Sequence, residues 1–324
     1  MATMTIAKAI TAGLRRALAE DPKTLLMGED IGALGGVYRV TEGLQEEFGK
    51  DRVVDSPLAE SGIIGTAIGL AMRGYRPVCE IQFDGFVFPA FNQITTQLAK
   101  IHARTSGQVS APVVVRIPYG GGIGSIEHHS ESPEALFAHT AGLRIITPSN
   151  AHDAYWMTQQ AVASNDPVIV FEPKRRYWLK GEVDTEQAGL DAFSAAVLRE
   201  GTDATVVAYG PLVPVALAAA EAAEEDGNSV EVIDLRSISP IDFDTVTASV
   251  QKTGRLIVAH EAPTFGGIGG EIAARVSERA FLSLEAPVLR VGGFHMPYPV
   301  AKVEEHYLPD IDRILEALDR SLAY

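Results

Sequence analysis

Short apolar runs alternate with amphipathic segments along most of the chain. Largely apolar runs at 24–28, 112–118 and 167–171 are typical of strands in the interior of a parallel sheet. Apolar residues recur at helical spacing in 6–20 and 90–104, which predicts helices there. Because strands and helices alternate, we expect an α/β fold with mainly parallel strands.

The alternation is interrupted between about residues 175 and 201, where charged residues and glycines accumulate, and it resumes at Ala204. A chain of 324 residues exceeds the ~250 to 300 residues at which a single core stops growing. We therefore predict two doubly wound α/β domains, comprising residues 1–180 and 181–324.

Composition excludes several classes of function. The chain is 46% hydrophobic and 21% charged, as in globular proteins, and its formal net charge of −15 disfavours binding to nucleic acid. No uninterrupted apolar span is long enough to cross a membrane, and Cys79, the single cysteine, has no partner for an intramolecular disulfide. We expect a cytoplasmic protein without a membrane segment.

Glu60 lies where an apolar strand end turns into a helix of small residues. Gly62, Gly65 and Gly69 share one face of that helix. Because each interior glycine costs a helix about 1 kcal/mol relative to alanine, we expect another helix or a flat ligand to approach this backbone closely. Glu60 is then either a carboxylate that exchanges a proton with a ligand or a helix-entry residue favoured by the helix dipole.

Other polar residues follow the predicted strands, at the edge where ligands of α/β sheets bind. They are Glu29, Asp30, Glu80, Gln82 and the pair His128 and His129, which comes after a glycine loop. Imidazole titrates near neutrality, so the histidines are acid–base candidates; the alternative is a pair of loop histidines beside a helix start. No third ligand has zinc-site spacing, so we predict no metal ligands on this chain.

Three further signals are weak. The loop at 266–271 lacks the third glycine of a dinucleotide fingerprint. Lys174, Arg175 and Arg176 could contact an acidic partner, although a solvated basic run is commoner. His260 ends a strand and is either a site residue or a partner contact.

Five motifs together resemble the β subunit of the E1 component of 2-oxoacid dehydrogenase complexes, in the family's order and over essentially the full length. They occupy residues 55–62, 80–83, 88–93, 129–134 and 234–240. The segment 80–91 and the sequence at 260–263 are most similar to branched-chain 2-oxoacid dehydrogenases. The chain has no Gly-Asp-Gly segment followed by an asparagine pair, the motif that holds magnesium and diphosphate in thiamine enzymes.

The resemblance implies a pyrimidine-binding domain followed by a transketolase C-terminal-like domain. It implies thiamine diphosphate shared with an E1 α subunit in an α2β2 heterotetramer, with Mg²⁺ on the α subunit, and a lipoylated E2 acyltransferase as the next partner. Some members hold K⁺ near the positions of Ser164 and Asp166; these residues differ from the family's pattern, so that metal stays open.

Residue roles follow from the resemblance position by position. Glu60 corresponds to the carboxylate that hydrogen-bonds the aminopyrimidine ring, and Leu58, Gln82 and Phe86 correspond to the pocket around it. Some branched-chain members have tyrosine in place of Phe86, so a hydroxyl contact is lost here. His129 corresponds to the loop histidine that assists acyl transfer to the lipoyl group, and no role follows for His128.

The motifs therefore predict the E1 β subunit of a branched-chain 2-oxoacid dehydrogenase. It would catalyse, only with its α subunit, decarboxylation of a 2-oxoacid and reductive acylation of E2. Two alternatives are the β subunit of a pyruvate or acetoin dehydrogenase and a catalytically silent docking subunit.

Overall fold

The computed structural model describes residues 1–324, which form two compact units. The first comprises Met1–Tyr119 and Leu136–Ala192, and the second comprises Gly120–Ala135 and Phe193–Tyr324. The segment that carries His128 and His129 therefore belongs to the second unit. The predicted α/β class with parallel sheets is confirmed, whereas the division at residue 180 stays a prediction.

The first unit contains most of the elements before residue 192. Its strands are β1 (Ala2–Thr5), β2 (Thr24–Gly28), β3 (Val53–Asp55), β4 (Arg76–Glu80), β5 (Val114–Tyr119), β6 (Arg144–Ile146), β7 (Val168–Pro173) and β8 (Lys180–Val183). Its helices are α1 (Ile6–Glu20), α2 (Leu44–Phe48), α3 (Glu60–Met72), α4 (Ile101–Arg104) and α6 (Ala151–Ala163), while α5 (Glu134–Ala138) connects the inserted segment to the first unit along the chain.

Strands β2 to β7 form a parallel sheet in the order β6-β7-β5-β4-β2-β3. The central strands β2, β5 and β7 are buried along their whole length, as their apolar runs predict. Helix α1 packs against α6, and α3 packs against β4. Strands β1 and β8 pair separately and antiparallel. Since β4, β2 and β3 are neighbours and parallel, the residues that follow them lie at one edge of the sheet.

The second unit is a smaller doubly wound domain. Its strands are β9 (Ala196–Arg199), β10 (Ala204–Ala208), β11 (Val230–Asp234), β12 (Ser237–Ser239), β13 (Leu256–Pro263) and β14 (Leu289–Gly293). Its helices are α7 (Val213–Glu225), α8 (Phe243–Thr253), α9 (Ile268–Ala280), α10 (Glu304–Tyr307) and α11 (Ile311–Leu322).

The sheet order in this unit is β14-β13-β10-β11-β9, with only β9 antiparallel to its neighbour. Alternation along β10 explains the two helical layers. Ala204, Val206 and Ala208 pack in the core with α7 and α11, whereas the hydroxyl of Thr205 contacts those of Ser249 and Thr253 on α8.

The prediction of one continuous α-helix over 90–104 is wrong, because this segment is divided into short helical turns of different types. A 3-10 helix at Asp84–Ala90 is followed by a π turn at Gln93–Gln97, a 3-10 turn at Leu98–Lys100 and only then α4. The hydroxyls of Thr95 and Thr96 donate to carbonyls one turn earlier, at 2.8 and 2.6 Å, a contact that bends helices. None of the helices in the chain combines the length and apolar character needed to cross a bilayer.

Candidate active site

Glu60 is the first residue of α3, and only 7% of the residue is exposed. The preceding residue, Ala59, forms no side-chain cap, and Glu60 is the acidic residue of the first turn, where the helix dipole favours negative charge. Its carboxylate has no hydrogen-bond partner within the chain. A buried acceptor of this kind is available to a ligand.

A second buried carboxylate lies beside it. Glu29 follows β2 and is also 7% exposed. Burial raises the pKa of the Glu29 carboxyl, and the negative charge of Glu60 raises it further, while the N–H of Ala59 opposes the shift. Its Oε1 atom is buried without a hydrogen-bond partner. The two acids form a site where a proton can be held.

Gln82 and Phe86 come from the segment after β4. The amide nitrogen of Gln82 lies 3.4 Å from the carbonyl oxygen of Glu29 and 3.5 Å from a carboxylate oxygen of Asp30. Asp30 has a positive φ of 57°, a conformation that aspartate tolerates at some cost, which turns the chain sharply after Glu29. Phe86 contacts Phe83 edge to face, at 5.7 Å between ring centroids.

Leu58 is 82% exposed, on the segment between β3 and α3. The structure therefore brings Glu60, Glu29 and Gln82 to one edge of the sheet, with Leu58 and Phe86 on flanking segments. The roles assigned to Glu60, Leu58, Gln82 and Phe86 stay predictions.

A buried ion network supports the strands beneath this site. The Arg116 guanidinium donates to both carboxylate oxygens of Glu172, at 2.6 and 2.9 Å, and to Glu80 at 2.7 Å. Tyr177 donates to the same Glu172 at 2.5 Å. Burial raises the pKa of the Glu80 carboxyl although Arg116 opposes it. Glu80 is therefore committed to a pair within the sheet.

The interpretation of Lys174 as part of a solvated basic run is wrong. Its ammonium lies 2.5 Å from Asp84, and both side chains are fully buried. Asp84 starts the 3-10 helix that carries Phe86, so this pair fixes that helix on the strand β7 side. Charge patterning alone could not reveal the pair, because its partners are 90 residues apart.

The glycine face of α3 is open. Methyl groups built onto Gly65 or Gly69 would meet nothing within 4 Å, and Gly62 would meet only Ala59 at 3.5 Å. The opposite face buries the core residues Ile63, Ile64, Ala67, Ile68 and Ala71. No segment of this chain makes the close approach that the glycines predict.

The histidine pair lies in the second unit. His129 ends a 3-10 turn at Glu127–His129, and its ring centroid is 4.4 Å from that of His128. His128 also lies 3.5 Å from a carboxylate oxygen of Glu127. The catalytic role of His129 stays a prediction, and no role follows for His128.

The His260 side chain packs against the 266–271 loop, and this packing accounts for two of the loop's glycines. The imidazole is fully buried, and burial lowers its pKa to about 4. Built methyl groups on Gly267 and Gly269 would come within 2.8 Å of its ring. These glycines are therefore required for packing at the start of α9, without any dinucleotide.

The segment considered for K⁺ contains two carbonyls that accept from Arg76. Its guanidinium lies 3.1 Å from the carbonyl oxygen of Val162 and 2.9 Å from that of Ser164. The Asp166 carboxylate lies 3.1 Å from Arg144. A potassium ion at this segment stays a prediction.

Comparison with known proteins gives two family models that together cover most of the chain. "Transketolase, pyrimidine binding domain" matches residues 2–178, and "Transketolase, C-terminal domain" matches residues 194–314. The chain is 66% identical to the pyruvate dehydrogenase E1 component subunit beta of Leifsonia xyli, over 99% of this chain and 96% of the relative. It is 53% identical to the 3-methyl-2-oxobutanoate dehydrogenase subunit beta of Mycobacterium tuberculosis, over 99% and 92%.

A solved structure described as "Split gene transketolase, inactive beta4 tetramer" superposes with a TM-score of 0.82. It covers 99% of this chain and 98% of that chain at 23% identity, and so supports the fold alone.

Proposed function

The chain belongs to the β subunits of the E1 component of 2-oxoacid dehydrogenases, and we propose that it works with an E1 α subunit in the decarboxylation of pyruvate. The acyl group would then pass to a lipoylated E2. The observation that carries this proposal is the buried Glu60 carboxylate, which lacks a partner in its own chain and lies beside a second buried acid.

The residues of this edge fit an aminopyrimidine ring. Glu60 would accept a hydrogen bond from the protonated ring nitrogen, and Glu29, whose carboxyl pKa is raised by burial and by the charge of Glu60, would hold a proton nearby. Gln82 supplies an amide, and Phe86 and Leu58 supply apolar surface. Thiamine diphosphate, when bound, supplies the electron sink for decarboxylation. Glu60 holds and moves the proton at the ring nitrogen, which is general acid–base work.

His129 would act in the second half-reaction. An imidazole can donate and accept protons near neutral pH, as acyl transfer to a lipoyl sulfur requires. This chain offers the imidazole on a short turn after a glycine loop. Its partner His128 would line the same turn.

An α subunit would complete the site in an α2β2 heterotetramer. The sequence lacks the Gly-Asp-Gly segment that holds magnesium and diphosphate, so the α subunit would provide both. The open glycine face of α3 begins at Glu60 and is the surface on which we place this subunit. K⁺ would be an additional structural ion.

The sequence identities to the two named relatives favour pyruvate as the substrate over branched-chain 2-oxoacids. The motifs at 80–91 and 260–263 predict the opposite preference. The relative named a pyruvate dehydrogenase is 66% identical, and the one named a 3-methyl-2-oxobutanoate dehydrogenase is 53% identical. Phe86 lacks the hydroxyl that some branched-chain members carry. Branched-chain 2-oxoacids are the second candidate, supported by the motifs.

The test is decarboxylation by the complex co-expressed with its α subunit. An artificial electron acceptor reports turnover of pyruvate and 3-methyl-2-oxobutanoate, which lose CO2, and of acetoin, which has no carboxylate and is instead cleaved at a carbon–carbon bond. We expect kcat/KM to favour pyruvate by at least about tenfold, a discrimination within reach of a pocket that differs by two methyl groups. The reverse order would assign the branched-chain function.

Replacing Glu60 with Gln separates a catalytic subunit from a silent docking subunit. We expect kcat to fall by about 10²–10⁴-fold, the usual contribution of a positioned acid or base, with thiamine diphosphate still bound in calorimetry. Glu46→Gln, an exposed change of the same kind, should leave kcat unchanged. Full turnover in Glu60→Gln would leave only a docking role.

A further inference from the structure

The loop that leads to the histidine pair is built from glycines in conformations that other residues rarely adopt. Gly120, Gly122 and Gly124 have φ values of +84°, +81° and +70°. The N–H of Gly120 donates to the carbonyl of Glu131 at 3.0 Å, which closes the loop at its base. Glycine backbones lose more freedom on folding than any others, so this loop needs outside contacts to stay in one conformation.

Glu304 provides such contacts from the far end of the sequence. Its Oε1 atom lies 2.7 Å from the N–H nitrogen of Gly122, and its Oε2 atom lies 2.9 Å from that of Gly124. The hydroxyl of Tyr298 donates to Oε1 at 2.6 Å. The residue is only 6% exposed, and these three donors satisfy its buried carboxylate oxygens.

Two further contacts leave the loop little room to move. The N–H of Gly121 donates to the Glu261 carboxylate. A methyl group built onto Gly121 would overlap the Tyr298 hydroxyl. Tyr298 in turn packs edge to face on Tyr307, at 5.0 Å between centroids. The loop backbone is thus bound on one side by carboxylates and an aromatic pair.

We call the Glu304 carboxylate with its contacts to Gly122 and Gly124 the Glu304 clamp. The two glycines lie directly before the histidine turn. From Gly124 the chain runs to Ile126, whose carbonyl accepts from the N–H of His129 at 3.0 Å. The position of Gly124 therefore sets where this turn begins. A catalytic group displaced by about 1 Å can lose about 100-fold in rate, so the clamp has a functional consequence.

We propose that Glu304 is a positioning residue for His129: its carboxylate binds the N–H groups of Gly122 and Gly124 and thereby fixes the turn that presents the imidazole. Glu304 touches no substrate in this proposal. The inference rests on the role that the proposed function gives to His129, in acyl transfer to the lipoyl group.

The experiment compares Glu304→Gln and Tyr298→Phe with wild type in the assembled E1 complex. Glu305→Gln is the matched control, because it removes the same charge one residue later from an exposed side chain. Three quantities are measured: amide hydrogen exchange over residues 121–125, decarboxylation with an artificial acceptor, and reductive acylation of a lipoyl domain. Tyr298→Phe removes only one hydroxyl and so gives a folded variant if Glu304→Gln fails to assemble.

In Glu304→Gln we expect exchange at 121–125 to accelerate by roughly tenfold or more, the effect of losing hydrogen bonds to a charged group. Reductive acylation should fall by about tenfold or more while decarboxylation stays within about twofold, because only the first depends on His129. Tyr298→Phe should shift the same two quantities less, and Glu305→Gln should shift neither.

Unchanged exchange at 121–125 in Glu304→Gln would overturn the inference and leave the proposed function intact. An equal fall of decarboxylation and acylation would also overturn it, because Glu304 would then support the fold in general. Full reductive acylation in His129→Ala would instead reject the role of His129 in the proposed function, and with it the catalytic part of this inference.

Discussion

Glu60 lies close enough to Glu29, at one edge of the first sheet, for its charge to raise the pKa of the Glu29 carboxyl. Burial is the main cause of the raised pKa of Glu29, and the charge of Glu60 is the second. The chain places no cation between them to relieve this repulsion, although it pairs the nearby Glu80 with Arg116. The edge therefore offers carboxyl groups that a protonated ligand can pair with.

The raised pKa of Glu29 predicts how stability depends on pH. Below the ordinary value of 4.5 the carboxyl is neutral in both folded and unfolded chains. As pH rises above 4.5 the unfolded chain releases the proton first, so Glu29 lowers the free energy of unfolding increasingly until the folded form also ionises. Glu29→Gln should therefore be more stable than wild type at pH 7 and equal to it near pH 4.

Urea unfolding across this pH range measures the difference, with Glu46→Gln as the exposed control. A Glu29→Gln variant that is less stable than wild type at pH 7, or whose difference does not change with pH, would contradict the assignment.

Gly65→Ala should stabilise the isolated chain but weaken its assembly with the α subunit. The added methyl group meets nothing within 4 Å, and alanine is favoured over glycine in a helix interior by about 1 kcal/mol. We expect the free energy of unfolding of the isolated chain to rise by up to that amount, while co-purification with the α subunit weakens. Gly270→Ala, on α9, is the control for helix propensity alone. Normal assembly of Gly65→Ala would place the α subunit on another surface.

Two adjacent glycines of α9 should respond in opposite ways. A methyl group at Gly269 would lie 2.8 Å from the His260 ring, whereas one at Gly270 would have only an ordinary contact, 3.7 Å from Arg290. Gly269→Ala should cost about 1–3 kcal/mol through overpacking, and Gly270→Ala should be neutral or stabilising by up to about 1 kcal/mol. Thermal unfolding of the pair checks this, and equal effects would show that His260 moves aside freely.

Lys174→Met should be strongly destabilising because it leaves Asp84 buried without its cation. Removing one partner of a buried ion pair costs about 3–5 kcal/mol. Adding Asp84→Asn should recover much of the loss, since the uncompensated charge is then gone. Chemical denaturation of the single and double variants measures the coupling. If Lys174→Met lowers the free energy of unfolding by less than about 1 kcal/mol, other contacts of Asp84 compensate its charge.

The sequence predicts much of the fold and the neighbourhood of the site for simple physical reasons. Apolar runs such as 24–28 and 167–171 must be buried on both faces, and the polar residues after such strands must gather at one edge. The sequence alone therefore predicts that Glu29, Glu60 and Gln82 lie at this edge, and the structure places them there.

Features that depend on distant partners escaped prediction. Lys174 resembles a surface lysine until Asp84 is placed beside it, and the threonine-bent helix after Pro89 has normal helical periodicity. The Glu304 clamp has no local sequence signal at all, because its backbone partners Gly122 and Gly124 are 182 and 180 residues away.

That separation has a consequence for biosynthesis. A ribosome must add nearly the whole remainder of the chain after Gly122 before Glu304 emerges, and domains generally fold as they emerge. The first sheet can thus form while the histidine turn is still without its carboxylates. Premature termination between Ala192 and Glu304 would yield a chain that holds every residue of the first unit, including Glu60, but lacks the Glu304 contacts to the glycine loop before His129.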